Sequence, residues 1–125
     1  MVNLNLNVQT VPFFDSVKNP LTADADSASF ANNGYDNLAL EISGSGSGTF
    51  AVEGCVNTLN AQGGALEDSQ ISWTPLMLIS AEDFKSSGTA TTNGIYYVAV
   101  AGISKVRVCA TNVSGNNIVV GTFTK

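Results

Sequence analysis

Apolar and polar residues alternate without a break at the start of this chain: Val2, Leu4, Leu6 and Val8 share one parity, and Asn3, Asn5 and Asn7 the other. A period of two puts successive side chains on opposite faces, so this segment reads as a strand with one dry and one wet side. The rhythm returns at Leu38, Leu40 and Ile42, and again at Phe50, Val52 and Val56 with Gly54 on the same parity. It recurs over residues 95–101, 105–112 and 118–124, separated by Gly102 and by Ser114-Gly115-Asn116-Asn117. Several short strands punctuated by Gly, Ser and Asn predict an all-β fold, a single antiparallel β-sandwich of Ig-like or jelly-roll-like type, with almost no helix.

The chain divides at about residue 37. Residues 1–37 read as an N-terminal strand followed by an extended arm, because Pro12 and Pro20 interrupt pairing and the stretch from Thr22 to Asn37 is dominated by Ala, Asp, Ser and Asn. Residues 38–125 read as the sandwich core, all within one domain. Within it, residues 38–57 look like a hairpin whose tip is the flexible run Ser43-Gly44-Ser45-Gly46-Ser47-Gly48. Ile71, Trp73, Leu76 and Leu78 give a short aromatic strand that changes phase around Pro75, and residues 80–93 allow at most one helical turn, at Ala81–Phe84. The predicted core comprises Leu40, Ile42, Phe50, Val52, Trp73, Val98, Val100, Val106 and Val108.

Composition narrows the chemistry. The 125 residues hold 44% hydrophobic but only 12% charged residues, where soluble domains carry about a quarter charged. Asn, Ser, Thr and Gly supply the polarity, which suits contact surfaces better than electrostatic capture. Five basic against ten acidic residues give a net charge of −5, which argues against nucleic-acid binding. No run approaches a membrane span and the start lacks the pattern of a signal peptide, so a soluble chain made without one is expected.

With no His in the sequence, a Ser or Cys nucleophile lacks its usual base. Lys105 and Arg107 fall on one parity and are expected to face solvent. Asp24 and Asp26, Glu67 and Asp68, and Glu82 and Asp83 are acid pairs without the ligand spacing of a calcium loop. Cys55 and Cys109 form no CxxC motif; a disulfide requires their strands to be neighbours in the right register, and two thiols are the expectation. No catalytic residue, cofactor or metal ligand is assigned, and the chain is expected not to be an enzyme. Of the adjacent Tyr96 and Tyr97, one must be exposed.

The segments Leu38-Ala39-Leu40-Glu41-Ile42-Ser43-Gly44, Thr49-Phe50-Ala51-Val52-Glu53-Gly54, Trp73-Thr74-Pro75-Leu76 and Thr92-Asn93-Gly94-Ile95-Tyr96-Tyr97-Val98-Ala99-Val100-Ala101-Gly102-Ile103-Ser104-Lys105-Val106-Arg107-Val108 occur in that order. Together they resemble the small β-sandwich virion proteins of tailed bacteriophages, over roughly residues 38–124, the last segment being the most specific. The resemblance implies a capsid-decoration, head-fibre or tail-associated role and carries over no catalytic residue.

The functional expectation is therefore a non-enzymatic virion structural protein, assembled in the host bacterial cytoplasm and acting through contact with other virion subunits. A carbohydrate-binding module using Trp73, Tyr96 or Tyr97 for host-surface attachment is the alternative. A lone amphipathic strand is unstable unless it joins a sheet. Val2, Leu4, Leu6, Val8, Phe13 and Phe14 are accordingly the interface candidates, expected to mediate self-association as a trimer, with pairing inside the chain's own sandwich as the competing possibility.

Overall fold

A computed structural model describes residues 8–14 and 20–125. It is a sandwich of two antiparallel sheets built from eleven strands: β1 (Val8–Phe14), β2 (Ala25–Asp26), β3 (Phe30–Ala31), β4 (Asn37–Ser43), β5 (Ser47–Cys55), β6 (Thr74–Leu76), β7 (Leu78–Ser80), β8 (Ser86–Ser87), β9 (Gly94–Ala99), β10 (Lys105–Ser114) and β11 (Ile118–Thr124). One sheet runs β1-β11-β4-β9-β7-β8; the other runs β2-β10-β5-β6, with β3 also paired to β10. A single 3-10 turn, Asp68–Gln70, is the only helical element among the described residues.

The parity of each strand selects its inward side chains. Leu38, Leu40 and Ile42 of β4 face Phe50 and Val52 of β5 across the interior, joined by Val98, Val106, Val108, Val119 and Phe123, all at most 2% exposed. Burying such side chains contributes about 1.5–3 kcal/mol each. Gly54 and Gly121 sit on inward parity where a larger residue has no room: a Cβ on Gly121 would stand 2.8 Å from Leu38 Cδ1 and 3.0 Å from Phe13 Cε2.

The topology corrects three expectations. Residues 38–57 are not a hairpin: β4 pairs with β11 and β9, whereas β5 pairs with β10 and β6. The Gly-Ser run is an arch that carries the chain from one sheet to the other. It is packed rather than flexible, because Gly46 N donates to Asn116 O at 2.8 Å and a Cβ on Gly44 or Gly46 would collide with the Ser114–Asn117 turn. That turn is itself the β10–β11 arch, so the two crossings lie side by side. A third crossing occurs at Met77, between β6 in one sheet and β7 in the other, which explains the phase change near Pro75.

Trp73 is the second correction, since it lies half-buried outside the core. The third concerns the segment before residue 38. β1 pairs with β11, from Val8 opposite Thr124 to Phe14 opposite Val119, with an irregularity between Val11 and Phe14 that accommodates Pro12. An edge position tolerates proline because one side of the strand has no ladder to complete. Likewise Asp26 and Ala25 pair with Cys109 and Ala110, and Phe30 with Val106. Residues 8–14 and 25–31 are thus woven into the same two sheets as residues 38–125.

Candidate functional site

The two outer sheet faces differ in chemistry. On the six-stranded sheet the registers align Thr10, Thr122, Ala39, Tyr97 and Ile79 in one row. Val120, Glu41 and Ile95 form the next row, and Val8, Thr124, Asn37 and Ala99 the row on the other side. Ile79, Ile95 and Tyr97 are each 40–44% exposed. Glu41 is the one charged residue in these rows. Alternation makes such a face inevitable once the even positions of β4 and β9 turn inward, yet natural strands usually place charge on the outward positions. Here β9 carries Ile95, Tyr97 and Ala99 and β4 carries Ala39 between Asn37 and Glu41.

The opposite outer face is charged, with both of its basic side chains paired to acids. Arg107 on β10 donates from Nε to Glu53 Oε1 at 2.8 Å, and its Nη1 lies 3.5 Å from Asp26 Oδ2. Its guanidinium also stands 4.5 Å from the centroid of the Trp73 ring. Trp73 is held in place by an Nε1 hydrogen bond to the Asp68 carbonyl oxygen at 3.0 Å. Asp68 in turn accepts from Ser29 Oγ at 2.8 Å and lies 3.8 Å from Lys105 Nζ. The expectation that Lys105 and Arg107 share a face holds, but they are ion-paired rather than free in solvent. Arg107 is only 18% exposed.

Cys109 lies beside this network, its thiol within 4.8 Å of carboxylate oxygens of Asp26 and Glu53. Arg107 already supplies the positive charge that these acids require, so a metal ion would have to displace it. Burial, and then a hydrogen bond with Asp26, push the Cys109 thiol up to about 11, and burial also raises Cys55. Both therefore stay protonated near neutral pH, which disfavours nucleophilic or ligand roles. β5 and β10 are neighbours, but Cys55 stands opposite Lys105 and Cys109 opposite Ala51. Four residues along a strand is about 13 Å, beyond disulfide reach.

The interface candidates separate. Val2, Leu4 and Leu6 lie outside the described residues. Val8 is 42% exposed at the edge of the uncharged face, Phe14 is partly buried against the core, and Phe13 is 5% exposed with its ring edge-on to Phe30 at 5.3 Å. Phe13 therefore serves the sandwich's own interior. Of the aromatic candidates, Tyr96 is buried and Tyr97 exposed, as its parity requires. Trp73 has one ring face covered by Arg107, so only the other remains for stacking. The uncharged face went unread in the sequence because it depends on which strands are neighbours.

No protein-family model matches the chain, and no curated protein matches it. Among solved structures, the SPBc2 prophage-derived protein YomS shares the fold with a TM-score of 0.75 over 100% of both chains at 19% identity. The PBSX exported protein XepA does so with a TM-score of 0.73 at 12% identity, over 99% of this chain and 40% of its own length. At these identities the likeness establishes the β-sandwich fold.

Proposed function

We propose that this chain is a bacteriophage structural protein without enzymatic activity, a capsid-decoration or head- or tail-associated subunit that works by protein–protein contact. The observation that carries this reading is the charge-poor outer face of the six-stranded sheet, where Tyr97, Ile79, Ile95 and Val120 lie in adjacent registers and Glu41 is the one charged residue. Interface centres are depleted in charge and enriched in aromatic side chains, and this face has that character. The prophage derivation of the structural neighbour YomS and the resemblance to tailed-phage virion proteins support the same assignment. Assembly in the host cytoplasm into the virion follows from it, as does self-association, with a trimer as the expected state.

Sedimentation velocity on the full chain tests the reading. The intact protein should sediment as an oligomer, and Tyr97→Asp combined with Ile95→Asp should give a folded monomer with an unchanged β spectrum. Labelled antibody should also locate the intact protein on phage particles by electron microscopy. A monomer at all concentrations that is also missing from particles would refute the proposal.

A further inference from the structure

A second surface, at the β7–β9 edge of the same sheet and adjoining Ile79 and Tyr97, has the form of a ligand site. Between the β7–β8 hairpin and the segment leading into β9 lies an open groove of about 260 Å³. Leu78, Ala90 and Tyr96, each at most 8% exposed, lie at its base and leave only a small apolar patch open to it. Its rim is polar, with the hydroxyls of Ser87, Thr89 and Thr91 beside Glu82, Asp83 and Lys85.

The groove is pre-formed. Ala90 is tied to Phe50 of the other sheet by two backbone hydrogen bonds, Phe50 N to Ala90 O at 2.9 Å and Ala90 N to Phe50 O at 2.8 Å. Tyr96 Oη donates to the Thr92 carbonyl at 2.7 Å, closing the wall against the strand. On the facing wall, Ser80 N donates to Lys85 O and Phe84 N to Ser80 O, which holds the turn that presents Glu82 and Asp83. Meanwhile the side chains of Thr89, Thr91, Glu82 and Lys85 have no partner among the described residues. A rigid groove with uncommitted polar groups loses little order when it binds.

From this geometry we infer that the groove binds a saccharide built of neutral hexose or N-acetylhexosamine units. A sugar ring has an apolar C–H face and a rim of hydroxyls that both donate and accept. The floor of Leu78, Ala90 and Tyr96 complements the first. The mixture of hydroxyls, carboxylates and one ammonium offers both acceptors and donors to the second. An anionic ligand is disfavoured by Glu82 and Asp83 against Lys85 alone. On the same turn Phe84 adopts the left-handed conformation, φ 58°, with its ring 75% exposed, which offers an aromatic surface beside the groove. Such a site gives a contact protein a second, glycan-directed function independent of the uncharged sheet face.

Titration of the isotopically labelled full chain with maltohexaose, and separately with chitohexaose, followed by amide resonances, tests the inference. At least one sugar should produce saturable shifts confined to residues 80–92. Thr91→Val combined with Lys85→Ala should weaken that binding about fivefold or more at an unchanged thermal midpoint. The inference is overturned if neither sugar shifts the spectrum at millimolar concentration. It is equally overturned if the shifts fall around Trp73 instead, or if the double variant binds as the parent does.

Discussion

Arg107 stacks over Trp73, its guanidinium carbon 4.5 Å from the ring centroid, while its Nε holds Glu53 at 2.8 Å. The pairing takes the chain's one tryptophan out of the core and makes it the lid of an ion-pair network on the outside of the smaller sheet. Trp73 comes from the loop before β6, and Arg107 from near the start of β10, so the contact exists only because β5 brings these two strands to the same sheet.

Removing the guanidinium should therefore be felt twice. Arg107→Ala is expected to cost about 1–2 kcal/mol, from the lost cation–π contact and from leaving Glu53 without its partner in a partly covered position. Trp73 emission should shift to the red as its ring is uncovered. A double-mutant cycle with Trp73→Phe measures the stacking share; an emission spectrum identical to the parent would show that the ring does not rest on Arg107.

Gly121 is predicted to be irreplaceable by even a methyl group. Its Cβ would press on Leu38 and Phe13, both buried, and the ladder from β1 to β4 passes through that point. Gly121→Ala should lower stability by about 1–3 kcal/mol. Gly88→Ala, with nothing within 4 Å of the added carbon, is the control and should be neutral or slightly stabilising. Chemical denaturation of both variants makes the comparison.

Phe13 fills the space above Gly121, so Phe13→Ala is expected to cost about 3–5 kcal/mol. Deleting residues 1–14 removes Phe13 and Val11 together and uncovers β11. That deletion should abolish the cooperative thermal transition rather than yield a stable folded monomer. A well-folded truncated chain would mean that β1 contributes little to its own sandwich.

The thiols give stability a pH dependence on the alkaline side. The folded chain holds the Cys109 proton up to about 11, whereas an unperturbed thiol releases it near 9.0. Stabilisation from this group is complete below pH 9 and is lost as pH climbs from about 9 to 11, because the unfolded chain gives up the proton first. Cys55 acts in the same direction. Thermal midpoints of the parent should fall more steeply over that window than those of Cys109→Ala. Parallel curves would show that the Cys109 thiol does not titrate abnormally.

Much of this molecule is written in its parities. Leu40, Ile42, Phe50, Val52, Val98, Val100, Val106 and Val108 all lie in the core that period two predicts, and Tyr96 and Tyr97 divide between inside and outside as adjacent strand residues must. The missing imidazole and the scarcity of charge are equally direct readings of the composition. Pairing is different. Two consecutive strands with inward apolar positions look the same whether they lie edge to edge in one sheet or face each other across the core. Nothing in Leu38–Ile42 and Phe50–Val52 distinguishes a hairpin from the arch that the chain makes at Gly44–Gly46. The tight seat of that arch against Ser114–Asn117 comes from residues about seventy positions away. The same reason hides the uncharged face, the Trp73–Arg107 contact and the groove beneath Tyr96. Alternation along one strand is local and survives in the sequence. Which strands become neighbours depends on how both sheets close over a shared interior, and only the folded chain decides that.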